Sequence, residues 1–181
     1  PVFPMTDDQT LVRRYLEGER RAFEPLVERY QKTIYNVALR MANDPDDAAD
    51  ITQNVFIKAS EKLGTYDPKY KFFSWIYRIA VNESINFVGS AKRNEALPEE
   101  LVAEDDNPEE ILQAGMLSNS VEEGLTKLSD DNRIVIILRH FEELSYDEIG
   151  FILDLPVKRV KSRLFTARQS LKRILSKRLE R

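Results

Sequence analysis

The stretch LSYDEIGFILDLPVKRVKSRLFTARQSLKRI (residues 144–174) predicts two helices joined by a tight turn. Ser145 followed by Glu148 is the pattern of a capping box, in which each side chain accepts a hydrogen bond from the other residue's free backbone N–H. The helix that follows reaches Asp154-Leu155-Pro156, where the proline favours the start of a second helix. Two helices joined by three or four residues form a helix-turn-helix unit.

The second helix of this unit has two chemically different faces when its residues are plotted at about 100° per residue. Its buried stripe is predicted to hold Val157, Val160, Leu164, Ala167 and Leu171. The opposite arc holds Lys158, Ser162, Phe165, Thr166 and Gln169, flanked by Lys161, Arg168 and Lys172. A recognition helix needs cations for phosphates and short polar or apolar groups for base edges. The pattern therefore favours DNA binding over the alternative, a solvated helix face.

Charge is distributed unevenly over the 181 residues. The chain has 27 basic and 31 acidic residues and a formal net charge of −4. Residues 155–181 nevertheless hold 10 basic residues and one acidic residue, whereas residues 94–126 hold 10 acidic residues and no basic one. A strongly basic end on an acidic protein indicates a polyanionic partner.

The composition excludes several classes of protein. The chain has no Cys and one His, which excludes a disulfide framework, a cysteine-based zinc site, a thiol nucleophile and two-histidine metal sites. No apolar run approaches the ~18 residues of a membrane span, and no signal peptide opens the sequence. We expect a reduced, soluble, cytoplasmic protein. We also expect no cofactor, no metal and no enzymatic activity, because the sequence has neither a glycine-rich phosphate loop nor a nucleophile elbow.

Apolar residues recur with a helical period from end to end, which predicts an all-α fold. We expect two small helical domains. The first covers residues 5–93, an acidic flexible linker covers residues 94–107, and the second, which contains the helix-turn-helix, covers residues 108–181. In the second domain, the apolar run Ile134–Leu138 predicts a buried helix.

Acidic residues near position 45 are better explained by helix capping than by metal binding. Asp44-Pro45 predicts the start of a helix that continues through Leu63, and Asp46 and Asp47 then fall in its first turn. Carboxylates there are stabilised by the helix macrodipole and by the free N–H groups. The single histidine, His140, has no neighbouring ligand partners in the sequence and is expected to be structural.

A cluster of aromatic residues precedes and opens the predicted helix 72–91. Six of the 17 aromatic residues lie within 12 positions: Tyr66, Tyr70, Phe72, Phe73, Trp75 and Tyr77, interleaved with Lys69, Lys71 and Arg78. Aromatic rings beside cations hold unstacked bases of single strands. The alternative is that the rings belong to the core, which we expect for Trp75.

Five motifs in this order resemble the extracytoplasmic-function (ECF) class of bacterial sigma factors, the smallest group of the sigma-70 family. The resemblance covers nearly everything after Met5. It rests on FEPLVERY (23–30), DDAADITQNVFIKA (46–59), FFSWIYRIAVNESINF (72–87), LSYDEIGFIL (144–153) and PVKRVKSRLFTAR (156–168).

The resemblance implies a two-domain transcription initiation factor. The first domain is expected to dock on the clamp helices of the largest subunit of core RNA polymerase and to open the −10 element. The second is expected to read the −35 element as a duplex and to meet the flap of the second largest subunit. One copy would bind each polymerase, and an anti-sigma factor would sit between the two domains or wrap round them. The genes served would be those of a stress or envelope response.

The candidate site residues fall into three groups, of which the first is carried over from the resemblance, within Asp50 to Leu63, and the other two are chosen for the chemistry of their side chains. Polymerase binding would involve Asp50, Gln53, Asn54 and Lys58. The −10 element would be held by Tyr66, Lys69, Tyr70, Lys71, Phe72, Asn82 and Asn86. The −35 element would be read from the helix-turn-helix (146–165) and the turn of helix after it, by Lys158, Arg159, Lys161, Ser162, Arg163, Phe165, Thr166 and Arg168.

The chain departs from the usual ECF pattern at two places. Gln53-Asn54 stands where the family usually has Gln-Glu, and Lys158-Arg159 stands where it usually has Gly-Thr. Two further hypotheses remain open at this point. One is a helix-turn-helix regulator that binds duplex DNA without docking on polymerase, and the other is a helical adaptor that binds proteins only. Association with core RNA polymerase would distinguish the sigma factor from both.

Overall fold

A computed structural model describes residues 7–92 and 119–179. These residues form helices and turns without a strand, as predicted. The predicted linker and the domain boundaries lie outside the described residues. None of the described helices combines the length and the hydropathy that a membrane span requires.

Within residues 7–92, the structure describes four α-helices and two short 3₁₀ turns of the first helical domain. They are α1 (Asp8–Leu16), a 3₁₀ turn (Arg20–Phe23), α2 (Glu24–Ala42), α3 (Pro45–Lys62), a 3₁₀ turn (Leu63–Thr65) and α4 (Phe72–Lys92). Helices α2, α3 and α4 pack on one another around a core that includes Ile34, Val55 and Ile76.

Local signals set the ends of these helices. Asp44 caps α3 as predicted, since its Oδ1 accepts hydrogen bonds from the backbone N–H groups of Asp46 and Asp47. The α-helix ends at Lys62, one residue before the predicted end, because the chain tightens into a 3₁₀ turn at Leu63. Asn43, in the left-handed region at φ 58°, terminates α2 and turns the chain toward α3.

Within residues 119–179, the structure describes four α-helices of the second domain. They are α5 (Asn119–Thr126), α6 (Asp130–Ile136), a π-helical turn (Ile137–Phe141), α7 (Tyr146–Leu153) and α8 (Val157–Leu179). The run Ile134–Leu138 is buried as predicted, although its last two residues lie in the π turn. Helices α5, α6 and α7 all pack on α8, the longest helix of the domain.

The two domains also pack against each other, which nothing in the sequence predicted. Helix α7 lies on α4, and α5 and α6 lie near the end of α2. The buried guanidinium of Arg133 joins the domains: it donates to the carbonyl oxygens of Leu125, Thr126 and Leu128 and, across the contact, to that of Met41 at 2.6 Å. These carbonyls lie at or just beyond the carboxyl ends of α5 and α2, where a cation is favoured by the helix dipoles.

Candidate functional site

The helix-turn-helix has the local geometry that its sequence predicts. The Glu148 N–H donates to Ser145 Oγ at 3.2 Å, and the Ser145 N–H donates to Glu148 Oε2 at 2.9 Å, which confirms the capping box. Asp154 ends α7 in the left-handed conformation, and the Leu155 N–H donates to the Gly150 carbonyl at 2.9 Å. A Cβ on Gly150 would lie 2.7 Å from the Leu155 carbonyl oxygen, so this turn requires glycine there.

The first turns of the recognition helix α8 expose the side chains predicted to meet DNA. Lys158, Arg159, Lys161 and Ser162 are exposed, and Phe165 keeps 51% of its surface accessible. The predicted inward stripe is buried at Val160, Leu164, Ala167 and Leu171, while Val157 is partly buried. The arrangement leaves a cationic surface with one exposed ring at its centre.

Farther along α8, the predicted polar arc is partly covered. Gln169, expected on the exposed arc, is only 7% exposed, and Arg168 is 8% exposed with its Nε donating to His140 Nε2 at 3.0 Å. The reason is that α5 and the π turn pack against this part of α8 from additional sides. Thr166 is partly buried and donates to the Ser162 carbonyl, and Arg163 pairs with Asp131 at 3.6 Å. His140 is thus tied to the recognition helix.

A groove of about 1280 Å³ runs between α2 and α3 on the first domain. Asp50 and Gln53, both exposed, lie on its wall. The apolar and aromatic side chains of its lining include Tyr15, Phe23, Val27, Tyr35, Phe56 and Ile57, and the charged side chains Arg20, Glu24, Glu28 and Lys32 also line it. Asn54 is exposed on the same helix, and Lys58 donates to Glu83 of α4 at 2.5 Å. We call this feature the docking groove.

Ile57, which lines the docking groove, was not predicted as a site residue from the sequence. It is 49% exposed and lies on α3 between the polar positions Asn54 and Lys58. An apolar residue that interrupts the polar face of an amphipathic helix was the available signal for it. The aromatic lining of the groove comes from four elements, namely α1, the first 3₁₀ turn, α2 and α3, and no local sequence pattern predicts that they meet.

The aromatic segment, residues 66–77, divides into buried and exposed members. Tyr66 and Phe72, both predicted to stack on bases, are buried: Phe72 is 2% exposed, and the two rings meet edge to face at 5.5 Å. Trp75, predicted to be largely buried, is partly buried and packs beside both rings. The Tyr66 hydroxyl donates to the Tyr70 carbonyl at 2.7 Å, so the buried rings support the backbone of the exposed loop.

The remaining residues predicted to hold the −10 element, in this segment and farther along α4, lie at the surface. Lys69, Tyr70, Lys71, Asn82 and Asn86 are exposed, and Tyr70 retains 48% of its surface. Two of them contact the second domain. The Tyr70 ring lies 4.5 Å from the ring of Phe151, and Lys71 Nζ lies 3.3 Å from Glu148 Oε1.

Comparison with known proteins identifies both domains. Residues 26–94 match the family model of sigma-70 region 2, and residues 118–171 match that of sigma-70 region 4. The chain is 33% identical over 181 residues to the RNA polymerase sigma-H factor of Pseudomonas aeruginosa, with 93% of each chain covered. It is 34% identical over 176 residues to the ECF RNA polymerase sigma factor SigW of Bacillus subtilis, covering 91% of this chain and 94% of SigW.

A solved structure agrees with these matches. CnrH, determined in complex with the cytosolic domain of CnrY, superposes with a TM-score of 0.69 at 25% identity, covering 93% of this chain and 97% of CnrH.

Proposed function

The chain belongs to the ECF sigma factors of the sigma-70 family, and from this premise we propose how its two domains divide the work of starting transcription. As a sigma factor it binds core RNA polymerase and directs promoter recognition, acting as an initiation factor. The alternative of a regulator that never meets polymerase is not favoured, because relatives along nearly the whole chain are polymerase sigma factors.

The docking groove is the surface we assign to polymerase. Its exposed apolar wall suits an apolar partner helix, while Asp50 at its edge offers a carboxylate to a cation on that partner. Clamp helices of the largest subunit are the partner that the family implies. Asn54 and Lys58 lie on the same helix, but the pairing of Lys58 with Glu83 makes it a weaker candidate than Asp50 and Gln53.

The exposed part of the aromatic segment is the surface we assign to the −10 element. A flipped base loses stacking and pairing, and Tyr70 offers a ring face as compensation. Lys69 and Lys71 are placed to hold the strand backbone, and Asn82 and Asn86, one turn apart on α4, offer amides to base edges. Tyr66 and Phe72 support this surface from beneath, because their rings are already packed in the core.

The first turns of α8 are the surface we assign to the −35 element. Lys161, Ser162 and Phe165 would face the major groove, and Lys158, Arg159 and Arg163 would contact phosphates. Arg168 would reach a phosphate only by leaving His140, and Thr166 contributes through its bond to the Ser162 carbonyl.

An anti-sigma factor is a further partner that we propose. Its support is the similar structure of CnrH, which was solved with the cytosolic domain of another protein. We also propose that the factor works in the cytoplasm, binds polymerase as one copy, contacts the flap of the second largest subunit and serves genes of a stress response.

The observation that carries the proposal is that Asp50 and Gln53, singled out by the family resemblance, lie on an exposed apolar groove. The experiment mixes the purified protein with core RNA polymerase and measures the mass of the complex and transcription from promoters selected from a random-sequence library. We expect one copy per polymerase and specific transcripts.

Asp50→Lys should weaken polymerase binding by about tenfold or more, because it reverses a charge at the proposed interface. Glu61→Lys is the matched control, since it makes the same charge change at an exposed position of α3 outside the groove lining. Equal binding by Asp50→Lys and Glu61→Lys, with normal helicity, would place docking elsewhere.

A further inference from the structure

The surface proposed for the −10 element is in contact with the helix-turn-helix of the same chain. The Phe151 ring of α7 lies on the Tyr70 ring with centroids 4.5 Å apart and planes at 31°. Glu148 of α7 binds Lys71 at 3.3 Å, and Asp154, which ends α7, lies 3.6 Å from Arg78 of α4. One face of α7, from its first turn to its C-cap, therefore presents one ring and two carboxylates to this part of the first domain.

These groups share two features with a nucleic acid strand, an aromatic face and anionic oxygens. A base offers a ring face and a phosphate offers anionic oxygens, and Tyr70 and Lys71 are the residues we assign to these two groups. Arg78 also lies 5.8 Å from the Phe151 ring centroid, so a cation borders the stack. We infer that α7 is an intramolecular DNA mimic that occupies the −10 surface until the two domains separate. This inference rests on the proposed function of the aromatic segment.

Other contacts also hold the two domains together, outside the patch formed by Glu148, Phe151 and Asp154. Arg40 of α2 lies over the Phe141 ring at 4.1 Å and pairs with Glu122 of α5 at 3.3 Å. The Tyr77 hydroxyl donates to Glu142 at 2.8 Å, and the buried Arg133 donates to the Met41 carbonyl. The cations Arg40, Lys71 and Arg78 belong to the first domain, and their carboxylate partners Glu122, Glu148 and Asp154 belong to the second.

In this closed arrangement, with the two domains in contact, one chain cannot bind the −10 and the −35 element at the same time. The names of the promoter elements place them about 25 base pairs apart, which is about 85 Å along B-DNA at about 3.4 Å per base pair. Tyr70 is 4.5 Å from a residue of the helix-turn-helix, and the 21 residues of α4 measure only about 31 Å. The domains must therefore part before one chain can bind both elements.

The test uses the absence of cysteine from the chain. Arg40→Cys and Glu122→Cys together place one thiol on each domain at a contact that leaves Tyr70 and Phe151 unchanged. A short bifunctional thiol reagent that contains a disulfide should bridge them in the free, dilute protein. Each single-cysteine variant, treated with the same reagent, is the control for modification alone.

We expect the bridged protein, mixed with core polymerase and a library-selected promoter, to open the −10 region about tenfold or more slowly, because the competent fraction is removed. Cleavage of the bridge by a reductant should restore opening. Failure of the bridge to form in the free protein, or normal opening by the bridged protein, would overturn the inference. If the unbridged double variant did not open promoters while the bridge formed efficiently, the proposed function would be wrong and the closed arrangement would stand.

A second measurement needs no polymerase and no DNA. Phe151→Ala, added to the cysteine pair, removes the ring that covers Tyr70 and should lower the bridging yield several-fold. Leu153→Ala is the matched control, because it removes apolar volume from the same helix about 200° around from Phe151. High salt should also lower the yield, since the ion pairs of Lys71 and Asp154 are largely exposed. Equal yields in the Phe151→Ala and Leu153→Ala backgrounds would show that the stack does not hold the domains together.

Discussion

The two surfaces assigned to DNA differ in what already lies on them. On the recognition helix α8, Lys161 lies near the Tyr146 ring and Arg163 pairs with Asp131, both within its own domain, and Phe165 projects outward. On the aromatic segment, Tyr70 and Lys71 are bound by Phe151 and Glu148 of the other domain. On the proposed assignment, a duplex can approach the first surface directly, whereas a strand must displace α7 from the second. The fold would then restrain the step that melts DNA.

The largest expected effect separates the buried rings of the aromatic segment from the exposed one. Phe72→Ala should lower the free energy of unfolding by about 3–5 kcal/mol, because it leaves a cavity in the core. Tyr70→Ala should lower it by much less, since about half of that ring is already exposed. Urea denaturation of both variants checks the difference. If both variants lost the same free energy of unfolding, Phe72 could not be distinguished as a core ring from Tyr70 as a surface ring.

The second prediction concerns opening of the −10 element by Tyr70. Tyr70→Ala should cost about 1–3 kcal/mol of strand-opening free energy, which is the contribution of one aromatic stack on a base. A fluorescent base analogue in the −10 element follows the opening, and Tyr70→Phe, which keeps the ring, is the control. If the Ala variant opened promoters as well as the Phe variant, the stacking residue would lie elsewhere.

The third prediction concerns the uncovered surface on α8. Ser162→Ala should cost about 1 kcal/mol and relax preference at one base pair, whereas Lys158→Ala should weaken binding to all sequences alike. Binding to a set of single-base variants of the −35 element measures both effects. A preference profile left unchanged by both Ser162→Ala and Phe165→Ala would show that this face does not read bases.

The smallest expected effect is a pH dependence of the interdomain contact. Burial raises the pKa of Glu142, which accepts a hydrogen bond from Tyr77 of the other domain. The hydrogen bond from Tyr77 and the charge of Arg40 lower the same pKa, but the effect of burial is larger. A carboxyl whose pKa is raised in the closed, folded protein stabilises that state below its ordinary pKa, and the contribution is lost as the pH rises through the raised value. At about pH 7, Glu142→Gln should therefore increase the bridging yield, by less than about threefold, and remove its rise toward about pH 5.

Glu148, which also lies in the contact between the domains, has a pKa shifted in the opposite direction. Its pKa is lowered first by the Ser145 backbone N–H and also by Lys71. Only the part of this lowering that comes from Lys71 stabilises the interdomain contact; that contribution is present above the ordinary glutamate pKa and is lost as the pH falls through the lowered pKa. In the Glu142→Gln variant, the bridging yield should therefore only decrease as the pH falls. A yield that still rose in acid would assign the pH dependence to another group.

Much of the fold was predictable because its signals are local. The Ser145–Glu148 capping box, the Asp44 cap and the stripe from Val160 to Leu171 each depend on residues within a few turns of one another, and each is confirmed. The exposed side chains in the first turns of α8 follow from the same helical period.

Only the tertiary structure decided which predicted site residues remain accessible. Phe72 and Gln169 are buried because neighbouring helices cover more of α4 and α8 than one amphipathic stripe indicates. The contact between the domains joins residues far apart in sequence, 92 positions for Arg133 and Met41 and 77 for Lys71 and Glu148. Helical periodicity fixes which face of a helix is apolar, but the partner for an exposed ring or a cation depends on packing between distant segments.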